Sequence, residues 1–222
     1  MLGDFAAPLL AGAALTLALT LGALVVGTAI GIAGACLRVW GGRPLSAIAG
    51  TYVATVRGVP DLLIVFLVYF GGTVTLSRLF GRFVEVDPFS AGIAALGLVF
   101  GAYATEIFRG AISGVPRGQL EAARSFGLRP WQVFVFVTLP QAWRLALPPY
   151  GNQLLILLKQ TSLVSIVGLE ELMRKAGLAA AFSNAPFTFY MAAAFLYLIM
   201  TVALTGFLRA AETRAARGLA MG

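Results

Sequence analysis

Histidine is absent from the 222 residues, and Cys36 is the single cysteine. No imidazole can act as a base or metal ligand, and no intrachain disulfide can form. Hydrolytic chemistry is disfavoured, and no catalytic or metal-binding residue is expected. Charge is scarce too: Asp, Glu, Lys and Arg make up 11% of the chain, against roughly a quarter in an ordinary soluble domain. The only lysines are Lys159 and Lys175, and neither sits in a GxxxxGK[ST] phosphate loop. The chain therefore lacks the usual means of binding ATP, and no cofactor of its own is expected.

What is present is hydrocarbon. Apolar residues make up 59% of the chain, and the mean hydropathy is +0.91. An all-α integral membrane protein of one domain follows. From Phe5 to Leu37 there is no charge for 33 residues, about 50 Å of helix against a hydrocarbon core of about 30 Å. Pro8 is expected to separate an interfacial start from a first span at residues 11–37. Four further spans are expected at about residues 52–72, 90–112, 149–169 and 187–208. The Gly and Ala abundance reads as close helix packing.

The arginines orient these spans. A cleaved signal peptide would need a basic start, whereas Asp4 precedes the first arginine, Arg38. The first helix is expected to be retained with its N-terminus outside. Arg38, Arg43 and Arg57, then Arg109, Arg117, Arg124, Arg129 and Arg144, then Arg209, Arg214 and Arg217 fall on the inside. This orientation explains the net charge of +7 better than a nucleic-acid partner would. The outer loops carry Arg78, Arg82, Arg174 and Lys175, balanced by Glu85 with Asp87 and Glu170 with Glu171.

Two spans are interrupted. Arg57, Gly58, Pro60 and Asp61 break the second, and Lys159-Gln160-Thr161-Ser162 lies within the fourth. Polar or broken helix at membrane depth persists only where protein or a watery cavity covers it, so these segments point to a path. Asp61, Glu106 and Lys159 would each cost about 2.5 to 3.5 kcal/mol facing lipid. Either they meet a substrate, or Arg57 pairs with Asp61 and Glu106 with Lys159. Thr161, Ser162 and Ser165 either line the path or bond back to carbonyls one turn earlier. Phe100, Tyr103 and Phe108 read as packing. Glu170 and Glu171 read as a solvated outer pair or a contact for a basic partner.

The longest segment between spans, residues 113–148, carries the most informative pattern. Arg117 to Phe126 has helix-forming composition, Gly127 is a natural left-handed stop, and Pro130 can open a second helix. Two short helices with a glycine elbow are expected. Glu121 and Arg124 can pair at i,i+3 or offer charge to a partner, and the small Ala122 and Ala123 would let another surface come close. A helix lying on lipid headgroups would use the arginines of this loop but would leave its fixed spacing unexplained.

Glu121-Ala122-Ala123, Gly127 and Val137-Thr138-Leu139-Pro140 reproduce the spacing of the coupling loop of ABC importer permeases, with Val137 where isoleucine is usual. With the flanking GAYATEIFRGAISGVPRGQ and LLKQTSLVSIVGLEEL, and with RGVPDLLIVFLVYFGG upstream, the chain resembles the polar amino-acid branch of that family from about Tyr52 to Leu172. The resemblance implies that Glu121, Ala122, Ala123, Gly127, Leu139 and Pro140 couple to an ATPase dimer, which binds the ATP. It also implies a second permease, homologous or identical, a periplasmic or lipid-anchored substrate-binding protein, and a place in the bacterial cytoplasmic membrane. The run from Arg57 to Asp61 resembles histidine/lysine-arginine-ornithine and opine permeases, which favours a cationic substrate along Arg57, Asp61, Glu106, Lys159, Thr161 and Ser162. A small ion-driven secondary transporter using Asp61 and Glu106 stands as the alternative.

Overall fold

The computed structural model describes residues 2–216. Arg217, counted above among the inner arginines, lies outside the described residues. These are α-helical with short 3-10 and π segments, and no strand occurs among them.

Helix α1 (Leu2–Trp40) runs unbroken for 39 residues. Pro8 lies inside it, so the expected separation at that residue does not occur. The missing N–H removes a single bond near the helix start, and the long apolar run beyond carries the helix on. The second expected span is not one element. Helix α2 (Gly42–Gly58) ends where Val59 and Pro60 are extended, and α3 (Asp61–Phe80) starts afresh. The residue before a proline is pushed out of the helical region, which places the break there. Residues 52–58 therefore belong to α2, and the apolar helix runs on to Phe80.

Helix α4 (Pro88–Ser113) is capped by the Asp87 carboxylate, which accepts from Ser90 N–H at 2.9 Å. After the loop helices α5 (Arg117–Ser125) and α6 (Pro130–Val133), a π turn (Phe134–Thr138) leads into α7 (Leu139–Gln160). A 3-10 segment (Thr161–Val167) follows. The expected outer loop at residues 170–186 is instead mostly helix, α8 (Leu172–Ser183), and α9 (Pro186–Ala216) closes the described chain. Among the described residues, four helices are long and apolar enough to cross a membrane; the segment Pro130–Val167 with α8, bent by 53°, makes a fifth if counted as one broken span.

α1 and α4 form the spine. A Cβ on Gly27 would stand 2.8 Å from the Gly97 carbonyl, and one on Gly31 2.5 Å from Ala104 Cβ. The backbones approach this closely because both faces are small. Around the spine, Leu19, Val65, Leu96, Phe100, Leu157 and Val164 make the main core. A second cluster, at the α8 end, seats Leu9, Leu172, Ala176 and Phe189, with the Phe5 ring edge-on to Phe189 at 5.1 Å.

Candidate functional site

The loop has the form its residues dictate. α5 ends in a glycine-dependent cap: Gly127 is left-handed at φ +82°, its N–H bonds the Arg124 carbonyl, and Leu128 N–H bonds the Ala123 carbonyl. Pro130 opens α6, whose entry is held by the Gln132 side chain accepting from Arg129 N–H at 2.8 Å. Pro140 cannot donate to the carbonyl of Phe136, and its ring would crowd that carbonyl in a regular helix. Just before it the turn widens, with Leu139 N–H bonded five residues back to Phe134 O.

Exposure divides the motif. Glu121, Ala122, Gly127, Leu139 and Pro140 are exposed, while Ala123 is 8% exposed and turned into the chain's own fold. Only Ala122 of the two alanines is therefore open to a neighbour. Glu121 and Arg124 do not pair, and no ion pair holds either among the described residues. Phe126, absent from the expected set, projects beside the elbow at 86% exposure. Its signal was a large apolar residue at a helix end, flanked by a charged helix and a glycine.

In the helical bundle, the expected charge pairs give way to others. Asp61 Oδ2 accepts from Gln160 Nε2 at 2.5 Å, and Arg57 instead lies over the Tyr103 ring, 4.9 Å from its centroid. Glu106 does not pair with Lys159. Its Oε2 takes Arg109 Nη2 at 2.6 Å, and its Oε1 is 3.4 Å from Arg38 Nε. The Glu106–Arg109 pair is an i,i+3 pair on one helix, a spacing already visible in the sequence. Lys159 is exposed and has no ion-pair or hydrogen-bond partner for its ammonium among the described residues.

Arg57 and Glu106 line one cavity and Lys159 another, and Asp61 lines neither. Arg57, Tyr103, Glu106 and Pro149 border the first, of about 450 Å³; Lys159, Ser162, Tyr190 and Tyr197 border the second, of about 410 Å³. Thr161 and Ser162 bond back locally, to Leu158 O at 2.7 Å and Lys159 O at 2.8 Å. Phe100 and Phe108 pack on Tyr150, edge-on at 5.3 Å and stacked at 5.5 Å.

The two outer acids part company. Glu170 is exposed, and the hydrogen bond from Lys175 holds its carboxyl below the usual range. Glu171 is wholly buried: it caps α8 through Arg174 N–H at 3.0 Å and receives Tyr197 Oη at 3.0 Å and Thr16 Oγ1 at 3.2 Å. The sequence signal was an acid immediately before an apolar helix start.

Residues 27–217 match the family described as binding-protein-dependent transport system inner membrane component. The octopine transport system permease OccQ of Rhizobium radiobacter is 39% identical over 219 residues, covering 96% of this chain and 92% of the relative. The arginine ABC transporter permease ArtQ of Haemophilus influenzae is 37% identical, covering 98% and 97%. A crystal structure of an amino acid ABC transporter with histidines superposes with a TM-score of 0.86 at 31% identity, covering 96% of both chains. The MetNI methionine ABC transporter, at 20% identity and a TM-score of 0.76, shares the fold. The chain belongs to the family of binding-protein-dependent transport system inner membrane components.

Proposed function

We propose that this chain is the multi-pass permease subunit of an ATP-driven importer in a bacterial cytoplasmic membrane. Its cargo is a polar amino acid, with basic amino acids and opines foremost. The observation that carries the coupling role is the exposed elbow: Glu121, Ala122 and Phe126 project around Gly127, away from the bundle, as a handle for another protein. The arginines flanking this loop favour placing it on the cytoplasmic side, with the N-terminus of α1 outside and the C-terminus inside. With no phosphate loop of its own, the chain draws its energy in this reading from an ATPase partner. The motor is a pair of ATPase subunits, which hold the ATP, and a substrate-binding protein delivers cargo to the opposite face. A second permease, homologous or identical, completes the path.

Cationic cargo is supported by the relatives that transport arginine and octopine, and by Asp61, whose carboxylate is met by an amide rather than by a cation. The relatives are binding-protein-dependent permeases, which favours this reading over an ion-driven carrier. The test is to isolate the chain with its native companions, reconstitute them, and measure ATP hydrolysis with and without a loaded binding protein. Stimulated hydrolysis is expected. A stable preparation with no ATPase attached would overturn the proposal.

A further inference from the structure

Between α7 and α9, at the end of the bundle that carries the loop, lies a groove of about 660 Å³ with Arg144 and Arg214 on its walls and no acid among its lining residues. Neither arginine has an ion pair or hydrogen bond for its guanidinium among the described residues. Trp143 and Phe207 form its apolar part. Trp143 is also a wall of a second cavity, an apolar slot of about 250 Å³ between α1, α4 and α7. On α7 the slot takes the face of Leu139, Ala142, Ala146 and Tyr150, and the groove takes the adjoining face of Pro140 and Arg144. Trp143 stands on the ridge between. From Trp143 to Tyr150 the slot descends about 10 Å along the helix.

We propose that groove and slot together bind a phospholipid with an anionic headgroup, its phosphate between Arg144 and Arg214 and one acyl chain laid over Trp143 into the slot. Two chemistries meet here in the order an amphiphile presents them: paired cations first, then hydrocarbon. Basic pockets between membrane helices near the interface favour anionic lipid, and arginine's fork suits a phosphate oxygen pair. Trp143 at the junction has the amphipathic ring typical of the headgroup boundary. An acidic protein surface could satisfy the two arginines but would leave the slot unfilled.

The test is quenching of Trp143 fluorescence by brominated lipids, using the full chain with Trp40→Phe and Trp131→Phe, in vesicles of phosphatidylcholine mixed with phosphatidylglycerol. At about 1 kcal/mol for each arginine, brominated phosphatidylglycerol is expected to bind roughly thirtyfold more tightly than brominated phosphatidylcholine. Arg144→Gln with Arg214→Gln should abolish that preference, and the corresponding pair of lysine substitutions should keep most of it, which separates charge from misfolding. Equal quenching by both lipids, or a preference that survives the double glutamine variant, would overturn the proposal. Displacement by millimolar inorganic phosphate would mark a free-anion site and overturn it as well. Loss of quenching on adding the ATPase subunits would assign the groove to that partner, with the same consequence.

Discussion

The Thr16 hydroxyl meets the Glu171 carboxylate at 3.2 Å across 155 residues of chain, with neither residue exposed. The same hydroxyl has the Gly12 carbonyl in reach at 3.0 Å and accepts from Leu172 N–H at 3.3 Å. One proton thus serves two acceptors, and the pair fastens the start of α8 to α1. Tyr197 adds α9 to the same carboxylate.

Removing this carboxylate leaves buried donors without an acceptor. Glu171→Ala is expected to cost about 3 kcal/mol or more, each orphaned group contributing about 1 to 3 kcal/mol. Glu171→Gln keeps one oxygen and should cost less. Thermal unfolding of the purified chain in detergent gives the order; equal midpoints for wild type and Glu171→Ala would refute the buried-anchor role.

Gly127 should tolerate no bulky acid. Its positive φ strains most side chains by about 1 to 2 kcal/mol, and the loop would present a foreign charge to the ATPase proposed to dock there. Gly127→Glu is expected to insert normally and to abolish stimulated ATP hydrolysis in the assembled transporter. Wild-type stimulation would argue against a coupling role for the elbow.

The spine is equally specific. Gly31→Leu drives a side chain into Ala104, since even its Cβ would stand at 2.5 Å. Because α1 and α4 are both backbone-close here, relief requires the helices to separate. A loss of about 2 kcal/mol or more is expected, within the range for overpacked cores, and limited proteolysis of the solubilised chain should show α1 released first. Unchanged protease resistance would contradict this packing.

Asp61 and Glu106 should separate on substitution. Asp61→Asn keeps a hydrogen-bonding partner for Gln160 but removes the charge, so uptake of arginine should fall tenfold or so relative to a neutral amino acid, about 1.4 kcal/mol. Glu106→Gln instead frees Arg109 and Arg38 of their common partner. It should lower stability with little change in selectivity. Competition uptake assays in vesicles distinguish the two, and an unaltered preference in Asp61→Asn would sink direct contact with the substrate.

Much of this protein is local, and local features were legible from residues alone. Gly127, Pro130 and the run from Arg117 set two short helices and their elbow, because caps and left-handed turns depend on neighbours a few positions away. The polar break at Arg57 to Asp61 and the long apolar runs were legible for the same reason. Helix was missed at α8, because a short apolar segment with charged residues at its start reads as loop until its buried face has something to cover. Which charge meets which was a different kind of question. Asp61 found Gln160, Glu106 found Arg38, and Glu171 found Thr16 and Tyr197. In long-range cases such as these, the partner depends on how each helix is rotated and how deeply it sits against its neighbours. Periodicity within one helix carries no information on that, so the sequence by itself determined the long apolar helices and the loop with its elbow, and the tertiary structure decided α8 and the long-range polar contacts.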